Sequence, residues 1–182
     1  MWGKLPTCRR DKLKLVRLTI GPNNIMLNGP EVVAALKSCG VTHVIWIPDS
    51  ELGTWEQALT GPEGLPLIRV CREGEAFAIA AGLLIGGQKP VVLIQCTGLF
   101  EAGDALRNIV HDLRLPLFLI VGVRSYNAHQ QGITADSCPV FTEPILRAWQ
   151  IPYVVLDSTG DLINAYRQAE TEQRSQAFLI AE

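Results

Sequence analysis

No apolar run in the sequence reaches the roughly 18 residues needed to cross a bilayer, so a soluble body with no membrane partner is expected. The signatures of the commonest nucleotide and hydrolase sites are missing too: there is no GxGxxG, Walker A, GxSxG or HExxH. Phosphate binding through a glycine loop is therefore not indicated; "TGLFEAGDA" has similar residue types at the wrong spacing. There is no excess of basic charge. Lys and Arg total 16 against 18 Asp and Glu, a net charge of −2, which leaves no electrostatic footprint for nucleic acid. There is no CxxC pair. Cys8, Cys39, Cys71, Cys96 and Cys138 are scattered and odd in number, which argues against a disulfide framework or a zinc site and fits a reducing cytoplasm. Internal repeats and low-complexity tracts are also absent.

What is present suits one compact domain. The chain has 182 residues, of which 48% are hydrophobic and 19% charged, enough for a sizeable core. Residues 1–27 read as an N-terminal extension and residues 28–182 as the domain. The stretch "MWGKLPTCRRDKLKLVR" carries six basic residues and one Asp without the apolar centre and cleavage site of a secretory signal. It is either a basic leader or an artefact of a start that truly lies at Met26; the second reading is preferred, and the fold is read without it.

From residue 28 helical and strand patterns alternate. "NGPEVVAALKSCG" predicts a helix with Asn28 or Gly29 before Pro30 and a stop at Gly40. "THVIWIP" is a short strand, and "DSELGTWEQAL" a helix capped by Asp49 or Ser50. "LPLIRV" is a strand, residues 73–86 an Ala- and Leu-rich helix closed by Gly86-Gly87, and "KPVVLIQC" a strand of the fully buried type. Residues 99–113 give the clearest helical period, with Leu99, Ala102, Leu106, Ile109, Val110 and Leu113 on one face. "LPLFLIVGV" is a buried strand, and residues 124–139 a long polar loop. A helix ("VFTEPILRAWQ"), a strand ("IPYVVL"), a helix ("STGDLINAYRQAETEQ") and a last strand ("QAFLIA") follow. Such alternation predicts an α/β fold: a three-layer, doubly wound, mainly parallel sheet of six strands with right-handed crossovers.

Ligands of such sheets bind beyond the carboxyl ends of the strands. That rule selects Pro48, Asp49 and Ser50; Cys71 to Glu73; Gln95, Cys96, Thr97 and Gly98; and the loop from Gly122 to Gly132, which contains His129. Each residue has a structural explanation as well. Glu73 and Glu75 in a first helical turn interact favourably with the helix dipole. Ser50 is a natural cap. Gly98 lets a strand turn sharply into a helix. His43 and His111 read as structural or solvated.

Several segments carry a family resemblance: "VIWIPDSELGTW", "REGEAFAIAAGLLIGGQKPVVLIQCTGLFEAGDAL", "LPLFLIVGVRS" and "AHQQGIT". From about residue 28 to 182 the chain resembles the pyrimidine-binding (N-terminal) domain of thiamine-diphosphate-dependent decarboxylases. It is most similar to the phosphonopyruvate and sulfopyruvate decarboxylase branch, in particular its separately encoded alpha subunits. The resemblance implies thiamine diphosphate as cofactor, with Glu73 hydrogen-bonded to N1′ of the aminopyrimidine and promoting the C2 ylide that attacks a 2-oxoacid. A carboxylate at a dry helix mouth suits that role, because desolvation raises its proton affinity. The resemblance further implies Ser50 and His129 beside the reacting carbonyl, Pro48 and Asp49 at the cofactor, and Gln95 to Gly98 against the pyrimidine, partly through backbone groups. Cys96-Thr97 stands where the family has Asn-Ser.

The family's Gly-Asp-Gly stretch and downstream Asn, which hold Mg²⁺ and the diphosphate, have no counterpart here; "STGDL" and "EAGDA" do not match. The implied arrangement is a hetero-oligomer. A beta subunit carries the diphosphate and Mg²⁺, and this chain supplies no metal ligand. Other thiamine-diphosphate reactions, such as carboligation, and a non-catalytic regulatory subunit remain alternatives at this point.

Overall fold

The computed structural model describes residues 27–49 and 52–182. Residues 1–26 of the proposed extension, with Met26, and the candidate Ser50 fall outside those described residues. The elements are α1 (Gly29–Ser38), β1 (His43–Trp46), a 3₁₀ turn (Leu52–Trp55), α2 (Glu56–Thr60), β2 (Leu67–Arg69), α3 (Glu73–Ile85), β3 (Pro90–Gln95), α4 (Cys96–Glu101), α5 (Gly103–Arg107), a π turn (Asn108–Asp112), β4 (Phe118–Val123), α6 (Tyr126–Gln130), α7 (Cys138–Ala148), β5 (Tyr153–Leu156), α8 (Thr159–Thr171) and β6 (Gln176–Ala181). The six strands form one sheet in the order β2-β1-β3-β4-β6-β5, and every pairing is parallel.

The period-2 pattern of the strands builds the three layers. Val92 and Ile94 of β3, Leu119 and Val121 of β4, and Ala177 and Leu179 of β6 face one core, with residues of α3, α4, α5 and α7. Val91, Leu93, Phe118, Ile120, Phe178 and Ile180 face the other, with α1, α2 and α8. Both faces are covered, which is why the central strands read as continuous apolar runs. Chain direction follows from handedness: crossovers running from β2 toward β5 pass over the first face, and those running back pass over the second.

Local signals set the helix ends. Asn28 caps α1, its Oδ1 accepting the Glu31 N–H at 3.0 Å. Asp49 caps the 3₁₀ turn, accepting the Leu52 N–H at 2.7 Å, so the turn after β1 begins in 3₁₀ geometry before α2. Gly40 and Gly87 take φ +77° just past α1 and α3, in the left-handed region that glycine enters without strain.

Two predictions need correction. The helix expected over residues 99–113 starts earlier, at Cys96, directly on the end of β3, and is interrupted at Ala102 and again by the π turn. Next to the interruption the chain packs closely on the end of α7: a Cβ on Gly103 would lie 2.8 Å from the Trp149 ring. A π turn advances each residue by less than an α-helical step. The helical spacing therefore fails to return Leu113 to the core, and it is 53% exposed while Leu99, Leu106 and Ile109 are buried. Second, the loop over residues 124–139 contains α6, and α7 begins at Cys138 inside it. His111 proves structural, donating from Nε2 to the Trp149 carbonyl at the end of α7. Among the described residues no helix is long and apolar enough to cross a membrane.

Candidate functional site

The sheet reverses direction of winding between β1 and β3: the chain leaves β1 toward β2 and leaves β3 toward β4. Segments diverging from adjacent parallel strands leave a crevice at their carboxyl ends. Its sides here are residues 47–49 and the first turn of α4. Helix α3 starts beyond β2 and crosses over β1 to reach β3, so its first residue, Glu73, arrives at the same place.

The junction is tight. A Cβ on Gly98 would lie 2.4 Å from Glu73 Cγ, 2.5 Å from its Oε1 and 2.8 Å from Cδ. The Glu73 side chain therefore rests in a space that only glycine leaves open. Glu73 is half-buried, whereas Glu75 is exposed. Glu75 is also engaged locally, its Oε2 accepting the Cys71 N–H at 3.4 Å across the helix start. The two glutamates that composition treats alike are thus separated by geometry, one facing a neighbouring helix and one facing water.

Asp49, Gln95, Cys96 and Thr97 belong to the two segments that flank this junction, and His129 lies on a separate helix after β4. Asp49 is engaged, capping the 3₁₀ turn and receiving the Trp46 Nε1–H at 3.4 Å. Gln95 ends β3 and its Oε1 accepts from the exposed Thr97 hydroxyl at 2.8 Å. The Cys96 thiol is fully buried in the core rather than directed to the edge, so this residue presents only backbone to the crevice. His129 lies on α6, beyond β4, half-buried, with its backbone N–H donated to the Ser125 carbonyl. Residues 29–140 match the family described as thiamine pyrophosphate enzyme, N-terminal TPP binding domain. The chain belongs to this family.

Among curated relatives, it is 27% identical over 130 residues to the sulfopyruvate decarboxylase subunit alpha of Methanococcus maripaludis, covering 70% of this chain and 76% of that one. It is 32% identical over 95 residues to the phosphonopyruvate decarboxylase of Streptomyces viridochromogenes, covering 52% of this chain. It spans only 24% of that longer relative. The solved benzoylformate decarboxylase of Polynucleobacter necessarius superposes with a TM-score of 0.63 at 20% identity, covering 86% of this chain and 30% of that one. The last likeness shows the shared thiamine-pyrophosphate-enzyme fold.

The crevice residues fit the pyrimidine end of thiamine pyrophosphate. They offer the Glu73 carboxylate, held over a glycine, and the backbone of a helix start, a donor and acceptor set suited to a flat heteroaromatic ring. Among the described residues no three His, Cys, Asp or Glu side chains gather in a way that could hold a metal ion.

The structure also brings together residues whose roles are not legible in sequence. Arg124, just past β4, donates from Nε to Asp136 at 2.8 Å and from Nη2 to Cys138 Sγ at 3.4 Å. The guanidinium, with the Cys138 N–H, holds the Asp136 carboxyl well below the usual carboxylate range. This clasp closes the loop carrying α6 and fixes the start of α7. Glu182, at the end of β6, lies beside the position a Gly122 Cβ would take. Only the pairing of β6 with β4 brings it there.

Burial pushes the Cys96 thiol up to about 11, with Cys138 within hydrogen-bonding reach. At pH 8 its thiolate fraction is on the order of one in a thousand, while Cys71 is exposed. Peptide-resolved iodoacetamide labelling at pH 8 is therefore expected to modify Cys71 at least ~100-fold faster than Cys96. Comparable rates would show that the start of α4 opens readily.

Proposed function

We propose that this chain is the alpha subunit of a thiamine-diphosphate-dependent 2-oxoacid decarboxylase of the sulfopyruvate or phosphonopyruvate type. The observation that carries this reading is Glu73 laid across Gly98 at the switch crevice, in a domain of the thiamine pyrophosphate enzymes. In this reading the Glu73 carboxylate holds the proton shared with N1′ of the aminopyrimidine. Half-burial limits competition from water for that hydrogen bond. Pro48, Asp49 and the Gln95 to Gly98 turn flank the ring, Cys96 through its backbone. His129 and Ser50 are the groups assigned to proton handling at the substrate carbonyl. The bound cofactor supplies the electron sink for loss of CO₂.

The diphosphate and Mg²⁺ are assigned to a beta subunit. One fact supports that division: several relatives are themselves named alpha subunits. Mg²⁺ favours octahedral oxygen ligands bridging phosphates, which a chain gripping only the pyrimidine does not offer. The test is reconstitution. The chain, a beta chain bearing Gly-Asp-Gly and a downstream Asn, Mg²⁺ and thiamine diphosphate are expected to release CO₂ from sulfopyruvate or phosphonopyruvate, and neither chain alone is. Cofactor binding by the pair without CO₂ release from either acid would overturn the substrate assignment. Absence of cofactor binding would overturn the subunit assignment.

A further inference from the structure

Helix α3 lacks a cap of its own. Its N-cap residue, Arg72, makes no side-chain capping bond, so the first N–H groups of the helix need partners from elsewhere. One is supplied by a different helix. Glu101, the last residue of α4, accepts the Gly74 N–H at 3.3 Å on Oε2 and the Arg72 Nε–H at 3.2 Å on Oε1. A single carboxylate thus ties the residues immediately before and after Glu73. Glu101 also lies three positions beyond Gly98 on α4, and residues at that spacing share a helix face. The face that leaves room for the Glu73 side chain at Gly98 therefore also bonds, one turn later, the residues on either side of Glu73.

We propose that Glu101 is a positioning residue: by bridging Arg72 and Gly74 it fixes where the first turn of α3 presents the Glu73 carboxylate. The inference rests on the role assigned to Glu73 above. Its value is geometric rather than energetic. The Arg72 side chain is 77% exposed, and an exposed ion pair contributes little to stability. Displacing a reacting group by about 1 Å, by contrast, costs about 100-fold in rate. Two bonds on one carboxylate, on opposite sides of the residue they hold, suit that purpose.

The test compares Glu101→Ala, Glu101→Gln and Glu73→Gln in the full chain and in the reconstituted complex. The first readout needs no cofactor. Hydrogen exchange at the Gly74 amide is expected to accelerate about 10-fold in Glu101→Ala, less in Glu101→Gln, whose amide oxygen still accepts, and not at all in Glu73→Gln. The second readout is the split of kinetic constants. Glu101→Ala is expected to lower kcat about 10-fold or more with KM for the 2-oxoacid within about 2-fold, and Glu101→Gln to recover most of that loss. Unchanged kcat in Glu101→Ala, with or without faster Gly74 exchange, overturns the positioning role. Should Glu101→Ala fail to fold, the glutamine variant decides: kcat near the parent's with Gly74 still protected supports the role, and a glutamine variant as impaired as a Glu73 variant overturns it. Full activity in Glu73→Gln would instead remove the reading of the site itself, whatever Glu101 does.

Discussion

Glu73→Gln is expected to lower CO₂ release by the reconstituted complex by about 10²–10⁴-fold, the usual contribution of a positioned proton-transfer group. Its effect on stability should be small. Glutamine has the same shape, so contact with Gly98 is kept, and the loss is the interaction of one charge with the α3 dipole, worth a few tenths to about 1 kcal/mol. Rate assays and thermal melts on the same preparation separate the two explanations for a glutamate at this helix start. A helix-start charge predicts a small drop in melting temperature and nearly full activity; a cofactor-holding carboxylate predicts the reverse. Glu75→Gln is the control. That side chain is exposed and bonded to the Cys71 N–H, so its removal should change activity by less than about 3-fold and stability by less than about 1 kcal/mol. Equal losses in the two variants would refute the distinction drawn between them.

Gly98→Ala is expected to be nearly as damaging to activity, by a different route. The added methyl group would meet Glu73 Cγ, Cδ and Oε1 at 2.4 to 2.8 Å, closer than non-bonded atoms approach. Those atoms belong to a flexible side chain, so the contact is relieved by swinging the carboxylate out of the crevice. The fold need not move, because Gly98 lies within α4 and alanine is the better helix former by about 1 kcal/mol. The expected result is unchanged or slightly higher thermal stability with a loss of about 100-fold in kcat. A crystal structure of the variant should show the Glu73 side chain in a different rotamer with the α3 and α4 backbones in place. Full activity in Gly98→Ala would falsify the view that this contact sets the carboxylate. A large fall in melting temperature would show that the backbone, not the side chain, absorbs the methyl group.

These two substitutions mark the boundary between what a linear reading can and cannot reach. Glu73 is visible in sequence because it opens a helix after a strand, at the edge where parallel sheets bind ligands, and because "REGEAFAIAAGLLIGG" resembles a family pattern. Its contact with Gly98 is not visible. Glycine before a helix has an ordinary explanation in the sharp turn from strand to helix, and nothing in the neighbouring residues says that a side chain from another helix fills the space. Glu101 is hidden for the same reason. It reads as one more acidic residue on a polar helix face, yet it accepts the Gly74 N–H of a helix start 27 residues away in the chain. Arg124 and Asp136 look like loop polarity until their ion pair closes that loop.

The sequence by itself determined the element types, their order and the two-sided burial of the sheet. Those follow from hydrophobic periods of 2 and 3.6 residues and from capping and turn residues, all of which act within a few positions of each other. It misleads at residues 99–113, whose pattern is a regular helix, because the π turn over Asn108–Asp112 changes the rotation per residue and leaves Leu113 exposed. Only the tertiary structure decided that the crevice lies between β1 and β3, that Glu73 reaches it across β1, and that α4 supplies both the opening and the clamp for that carboxylate. Strand order and helix-to-helix contact are set by packing over the whole sheet, and no local window of residues contains that information.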